Sequence, residues 1–386
     1  MQFSLVIILF KFMDIAELYN RVLQAYLKAR KNERNKHSQL TFEINLYQNI
    51  NNLVTSLCYR NWNPSPLTCF MIEKPTFREI FAPEFKDEVV SHLLFDLIEP
   101  EFERKFIYDS FSCRKGKGTL FGINRFIHHI KSVTDNYKKE AYVLNLDISG
   151  YFMNIDRLIL KEILLKNLKD HEEFDFIKYL INTILDRDPC KNCIRIDNFE
   201  LWRNFPKHKS LFNSPPNVGL TIGDVVSQLF SNIYLNELDQ FCKSKLGCKH
   251  YMRYVDDIRI LSDNKKELED LIPKISEFLK TTLHLNLHPK KTKIISTNKT
   301  QYFLGAYVEK YRVHANRRTI DNFKTYVKSI KGKICGEKEL SHINAYLGYL
   351  QFFDDFKIVN KIIKESDLSR SFIFTKDYSQ AILINK

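Results

Sequence analysis

Three aspartates are the residues of this chain whose placement could do chemistry. Asp256 and Asp257 stand side by side in Arg253-Tyr254-Val255-Asp256-Asp257, with the apolar run Ile258-Arg259-Ile260-Leu261 behind them. Two strand-like runs flanking a pair of turn-favouring acids predict a β-hairpin with both carboxylates at its tip. A solvated turn is the plain alternative for such a pair, and a divalent-cation site is the chemical one. Asp147 adds weight to the second. It ends Tyr142-Val143-Leu144-Asn145-Leu146, a nearly continuous apolar run of the kind expected for a strand buried on both faces. Three carboxylates on two strand ends can hold two Mg2+ ions roughly 3.5–4 Å apart, which would clamp the attacking and leaving oxygens of a phosphoryl transfer. The predicted chemistry is nucleotidyl transfer.

Around these acids lie three ordered strings: Leu146-Asp147-Ile148-Ser149-Gly150-Tyr151-Phe152, then Gly219-Leu220-Thr221-Ile222-Gly223-Asp224-Val225-Val226-Ser227-Gln228, then Tyr254-Val255-Asp256-Asp257. In order and spacing they resemble the three central palm motifs of reverse transcriptases, and the resemblance runs from about residue 40 to about residue 355. The Ile-Gly-x-x-x-Ser-Gln form of the middle string is similar to that of the diversity-generating retroelements in particular.

The resemblance implies an α+β fold of the right-hand polymerase type, with fingers, a palm of antiparallel sheet and packed helices, and a helical thumb. On this chain it implies an N-terminal segment and basic helix over 1–40, fingers over 41–140, a palm over 141–308 with an insertion at about 188–216, and a thumb over 309–386. It implies an RNA-directed DNA polymerase in which Asp147, Asp256 and Asp257 are catalytic and, with Ile148, form the binding set for two Mg2+ ions. Template RNA, the RNA–DNA duplex and dNTPs are the implied partners. The finer likeness adds a template-repeat RNA copied with errors at adenines and a small basic accessory protein. A group II intron-like, retron-like or antiviral-defence reverse transcriptase is the alternative among enzymes. A catalytically silent RNA-binding scaffold is the alternative from another class.

Composition agrees with a large folded enzyme. The chain has 386 residues, 44% hydrophobic and 13% aromatic, enough for a sizeable core and two or three lobes. Lys and Arg number 59 against 46 acids, a net charge of +13 spread over several clusters, which fits a polyanion tracked along a groove as well as a merely soluble basic protein. Eight cysteines at irregular spacing predict reduced thiols in a cytoplasmic setting. Cys190 and Cys193 make a lone Cys-x-x-Cys pair, read as incidental thiols in a loop rather than a zinc site. The apolar Met1–Phe10 lacks a basic flank and is too short to span a bilayer, so no membrane span is predicted. It is either a core strand or an upstream mis-start before Met13.

Taken in order, residues 14–30 carry Ile15, Leu18, Val22, Leu23, Tyr26 and Leu27 at helical spacing, and Lys28–Lys36 is basic. A second helix is predicted over 41–58 and β-rich structure over 69–80, where Lys74 and Arg78 take the triphosphate-contacting role by resemblance. A helix over 85–106 precedes Arg114-Lys115-Gly116-Lys117-Gly118, whose cations and glycines predict a template or primer backbone grip. Phe152, five residues after Asp147, matches the aromatic that excludes a ribose 2′-hydroxyl. Ser149 departs from the basic residue common at its position. Residues 157–186 read as helices, and 188–216 as a long polar loop or hairpin.

In the middle motif, Ile222 replaces the Gln that most of the family places beside the nascent base pair, and with Gly223 and Gln228 it belongs to the implied dNTP set. Thr221 and Asp224 depart from the Pro and Asn of the diversity-generating group. A helix follows Gly223, and another spans Leu268 to Leu279. Lys290, in His288-Pro289-Lys290-Lys291-Thr292-Lys293, is the candidate phosphate-binding or pyrophosphate-protonating lysine. Leu304 and Gly305 resemble the motif supporting the primer terminus. Arg317 and Arg318 open a basic helical segment suited to holding a duplex by its backbone. No length is left for an RNase H, maturase-type or endonuclease extension, so strand removal and DNA cleavage are expected to come from elsewhere.

Overall fold

The computed structural model describes residues 14–384 apart from 75, 197–198 and 334. The expectation for Met1–Phe10, and the choice between Met1 and Met13, lie outside the described residues.

Helix α1, Ile15–Glu33, starts where the Asp14 carboxylate accepts a hydrogen bond from the Ala16 N–H at 3.0 Å, satisfying a donor that the first helical turn leaves free. The expected basic run is split, with Lys28, Arg30 and Lys31 in the last turns of α1 and Arg34 and Lys36 beyond it. The helical stretch predicted over 41–58 is two helices, α2 (His37–Ile44) and α3 (Leu46–Cys58), separated at Asn45, whose backbone is not helical. Strands β1 (Leu67–Ile72) and β2 (Arg78–Ala82) form an antiparallel hairpin, and α4 (Phe85–Glu103) follows. Helix α5 (Thr119–Val133), strand β3 (Tyr142–Leu146) and helices α6 (Tyr151–Asn154), α7 (Arg157–Leu168) and α8 (Phe174–Leu185) come next.

The polar stretch expected to be a loop or hairpin contains β4 (Cys193–Arg195) and α9 (Phe199–Asn204). β4 pairs in parallel with β1, Leu67 opposite Cys193, and completes a three-stranded sheet β2-β1-β4. Three residues are too few to show the alternation that marks a strand in sequence. Helix α10 (Val225–Gln240) is capped by Asp224, which accepts from the Val226 N–H at 3.1 Å.

Strands β5 (His250–Tyr254) and β6 (Asp257–Ser262), helix α11 (Lys265–Thr282) and strand β7 (Lys293–Ser296) complete the central sheet, ordered β5-β6-β3-β7 and antiparallel throughout. β3 lies inside it, and its two faces feed two different cores. Leu144 and Leu146 join the larger, with α1, α4, α7, α8, α10 and α11. Val143 joins the smaller, with α5 and the C-terminal elements. That double burial is why the run before Asp147 is apolar at nearly every position.

A three-stranded meander follows, β8 (Gln301–Phe303), β9 (Ala306–Val308) and β10 (Val313–Ala315), then α12 (Arg317–Ser329), α13 (Glu337–Leu350) and α14 (Phe356–Lys364). The C-terminal segment is not purely helical, because β11 (Phe372–Phe374) and β12 (Ala381–Leu383) form a hairpin beyond α14. Among the described residues no helix is long and apolar enough to cross a membrane.

Candidate active site

The pairing of Tyr254 with Asp257 leaves Val255 and Asp256 as a two-residue turn. Asp256 therefore sits at the hairpin tip, while Asp257 is already the first residue of β6, a correction to the expectation that both acids occupy the tip. On the other side of β6, Leu146 faces Ile258, so the same register carries Asp147, one residue past β3, to Asp257. Pairing of β3 with β6 thus brings acids more than a hundred positions apart in sequence to one edge of the sheet.

The turn is held under strain. Val255 has φ +54°, in the left-handed region that costs a β-branched residue on the order of 1–3 kcal/mol. Its carbonyl accepts a hydrogen bond from the Arg253 guanidinium at 3.1 Å. Arg253 is fully buried and bound on every side. It donates to both oxygens of Asp239, at 2.7 and 2.6 Å, and to the side-chain and backbone oxygens of Asn232, at 3.2 and 3.3 Å. Tyr251 donates its hydroxyl to Asp239 at 2.7 Å. This clamp joins the turn to α10, and Asn232 continues it by donating to the Ser112 carbonyl at 2.8 Å. Sequence reasoning missed Arg253, Asp239 and Asn232 as site residues. A charged residue among the large side chains of Tyr251-Met252-Arg253-Tyr254 was the available signal.

The three carboxylates share a half-buried edge and repel one another. Asp256 is pushed up to about 6, first by withdrawal from solvent and then by the Asp147 carboxylate, with Asp257 adding to it. Asp257 is also raised, by burial above all, and the Arg259 guanidinium pulls against the rise. Asp147 is bound through both oxygens by the Lys291 ammonium, at 2.9 and 2.8 Å. Arg259 forks onto both oxygens of Asp257, the second at 3.3 Å. Crowded carboxylates, one matched by an exposed lysine and one by a buried arginine, fit a divalent-cation site. Among the described residues, however, no three His, Cys, Asp or Glu side chains form a ready-made cage. Ile148 has a buried apolar side chain, so only its backbone carbonyl has the chemistry to join such a set.

The remaining sequence candidates differ in what they touch. Phe152 and Ile222 both pack on one small apolar cluster of Leu67, Cys69, Phe81, Met153 and Leu211. Their backbones are tied in as well, Leu220 N–H donating to the Phe152 carbonyl and Phe81 N–H to that of Ile222, each at 2.8 Å. Gly223 has φ +129° and lies so close to β2 that a Cβ there would meet Ile80 and the Phe81 carbonyl at 3.0 Å. Lys74 and Arg78 are exposed on the β1–β2 hairpin. Gln228 is exposed on α10 and accepts a bond from the Cys113 thiol at 2.9 Å, which links the middle motif to the glycine-rich string.

Within that string the three cations have different surroundings. Arg114 is buried, paired with Glu103 at 2.8 and 2.6 Å, and donates to the Ile107 and Ser110 carbonyls at 2.7 Å, so it braces the loop from within. Lys117 donates to the Tyr108 carbonyl and lies 4.4 Å over the Tyr108 ring. Lys115 is exposed and makes no hydrogen bond or ion pair with the described residues. In the basic loop before β7 it is Lys291, not Lys290, that meets a carboxylate; Lys290 is exposed. Leu304 and Gly305 form the β8–β9 turn, with a Leu304 methyl 2.7 Å from where a Cβ on Gly122 of α5 would stand, so a side chain at 122 would require that methyl to shift. Arg317 and Arg318 are exposed at the start of α12, Arg317 pairing with Asp321 at 3.7 Å. Cys190 and Cys193 are free thiols, as are the other six cysteines.

An antiparallel sheet that gathers three carboxylates at one edge has donor groups of the kind that cation-assisted phosphoryl transfer uses. Residues 72–308 match the family described as reverse transcriptase (RNA-dependent DNA polymerase), well over half of the chain, and the protein belongs to that family. Protein YkfC of Escherichia coli (strain K12) is 24% identical over 285 residues, covering 64% of this chain and 67% of that protein. The group II intron-encoded protein LtrA of Lactococcus lactis subsp. cremoris is 23% identical over 254 residues, covering 64% of this chain. The chain spans only 37% of LtrA's length. Among solved structures, apo telomerase from Candida Tropicalis is similar at 13% identity with a TM-score of 0.48, covering 83% of this chain and 63% of that one.

Proposed function

We propose that the protein is an RNA-directed DNA polymerase that copies a template RNA into cDNA from dNTPs. The observation that carries this reading is the convergence of Asp147, Asp256 and Asp257 on one sheet edge, where burial first and then the neighbouring carboxylates raise Asp256. Asp147, Asp256, Asp257 and the Ile148 carbonyl would hold two Mg2+ ions. When bound, these supply a lowered pKa at the primer 3′-hydroxyl and charge neutralisation on the triphosphate. The chain's own residues do the rest. The Arg253 clamp sets the turn, Lys291 occupies Asp147, and Phe152 and Ile222 wall the nascent pair with apolar surface. Lys74 and Arg78 supply exposed positive charge for the triphosphate, and Lys115, Lys117, Arg317 and Arg318 supply it for the RNA–DNA duplex. In this reading residues 41–140 act as fingers, 141–308 as palm and 309–386 as thumb, and the free thiols fit a cytoplasmic setting.

The finer proposal is adenine-directed, error-prone copying in a diversity-generating retroelement, assisted by a small basic protein. Its support is Ile222, whose side chain packs in an apolar cluster and offers no hydrogen bond to a base pair. The likeness to LtrA favours a group II intron-like enzyme as the second reading. Sequencing the cDNA made on an RNA template, with and without an accessory protein, separates them. Errors concentrated opposite template adenines support the first, and accurate copies overturn it while leaving the polymerase.

A further inference from the structure

Arg259 stands two residues past the aspartate pair, on a strand that is otherwise apolar from Ile258 to Leu261. A guanidinium in such a strand needs a reason to be there, because its burial is costly unless every donor is used. Arg259 is 7% exposed. Its NH1 donates to Asp257 Oδ1 and, at 2.9 Å, to the Ile258 carbonyl. Its NH2 reaches Asp257 Oδ2 at 3.3 Å and the Tyr302 carbonyl at 3.4 Å. The carbon of the guanidinium lies 5.0 Å over the Phe303 ring, while Nε has no hydrogen-bond partner among the described residues. The group is therefore not a floppy surface cation. Strand β8 fixes it from one side and the aspartate from the other.

We infer that Arg259 is a positioning residue that sets the metal affinity of the Asp257 arm, acting as a built-in counter-cation that an arriving divalent ion must share the carboxylate with. The inference rests on the reading of Asp147, Asp256 and Asp257 as metal ligands. Its physical content is a competition. Both Asp257 oxygens are already engaged by one rigid fork, and that fork keeps a full positive charge beside the site. Lys291 makes the same kind of contact to Asp147 but is an exposed point charge on a flexible stem, and it can leave. Arg259, held by the Tyr302 carbonyl and the Phe303 ring, stays. A divalent ion then binds Asp257 against a fixed like charge, so the site remains weakly loaded until a polyanionic substrate adds ligands of its own. The strand carrying Tyr302 ends at the Leu304-Gly305 turn, so the element that holds Arg259 leads into the turn whose sequence resembles the primer-supporting motif.

The test is Mn2+ binding to the full chain without nucleic acid, followed by electron paramagnetic resonance, for wild type, Arg259→Met, Arg259→Lys and Asp256→Asn, with circular dichroism confirming that each is folded. Arg259→Met should bind Mn2+ about tenfold more tightly than wild type, the effect of removing roughly 1.4 kcal/mol of competition. Arg259→Lys should fall between the two. Equal affinity in wild type and both Arg259 variants, with binding still lost in Asp256→Asn, overturns the inference alone. Binding that survives Asp256→Asn unchanged overturns the metal-site reading beneath it.

Discussion

Replacing Asp239 by Asn is the sharpest perturbation of the clamp behind the hairpin. Arg253 and Asp239 are both fully buried and joined by two hydrogen bonds of 2.7 and 2.6 Å, and Arg253 makes three more, to Asn232 and Val255. Burial alone would lower the arginine's affinity for its proton, yet Asp239 more than offsets it and the pKa is raised. Asparagine keeps the shape and removes the charge, which strands a guanidinium in the core. Breaking one side of a buried pair costs about 3–5 kcal/mol, roughly a fifth or more of the 5–15 kcal/mol that holds a typical protein together. Asp239→Asn should therefore unfold at much lower urea concentration, read by far-ultraviolet circular dichroism.

The double variant Asp239→Leu/Arg253→Met separates stability from positioning. Replacing both charges by apolar groups is often neutral or stabilising, so the double variant should regain most of the lost stability. It cannot regain the bond to the Val255 carbonyl. A hydrogen bond from a charged donor contributes about 1.5–3 kcal/mol, the size needed to hold a turn strained by about 1–3 kcal/mol. The folded double variant should thus extend a primer at least tenfold more slowly than wild type. A loss below about 1 kcal/mol in Asp239→Asn refutes the clamp, and a stable double variant with full activity refutes its role in placing Asp256.

Asp256→Asn should melt higher than wild type at pH 7.5, because a carboxylate raised to about 6 when folded is ionised there at a cost. Since the folded value lies above the unfolded one, that stability is present below about pH 4 and lost as pH rises through 6, so the advantage of Asn should vanish near pH 4; a lower melting point at pH 7.5 contradicts this. Arg114→Ala should lower the denaturation midpoint, whereas Lys115→Ala should leave it unchanged and reduce the salt dependence of RNA binding by about one unit of log–log slope. The opposite pattern restores Arg114 to the template grip. Ile222→Gln should reduce errors opposite template adenines in sequenced cDNA, and an unchanged error spectrum removes Ile222 from fidelity control.

The acids themselves were legible because each breaks a local pattern: Asp147 ends an apolar run, and Asp256-Asp257 interrupt two. The double burial of β3 was readable from the same run. What failed was the sorting of cations. Arg114, Lys115 and Lys117 look equivalent in sequence, but Glu103 and two carbonyls claim Arg114, and nothing local announces a partner eleven residues upstream. Lys290 and Lys291 are adjacent, and only the turn geometry before β7 decides which one reaches Asp147. Arg253 and Arg259 carried a readable signal, charge in a buried strand, but their partners lie on another helix or at the strand's own start. Strand β4 was hidden because three residues show no period.

The central claim is that Asp147, Asp256 and Asp257 form the metal site of a polymerase. Mg2+-dependent primer extension on an RNA template, comparing wild type with Asp256→Asn/Asp257→Asn, tests it most directly. Wild type should make cDNA and the variant none, with both proteins folded and both still binding the RNA. Equal extension by the two, or no extension by wild type on any RNA template with any accessory protein supplied, contradicts it.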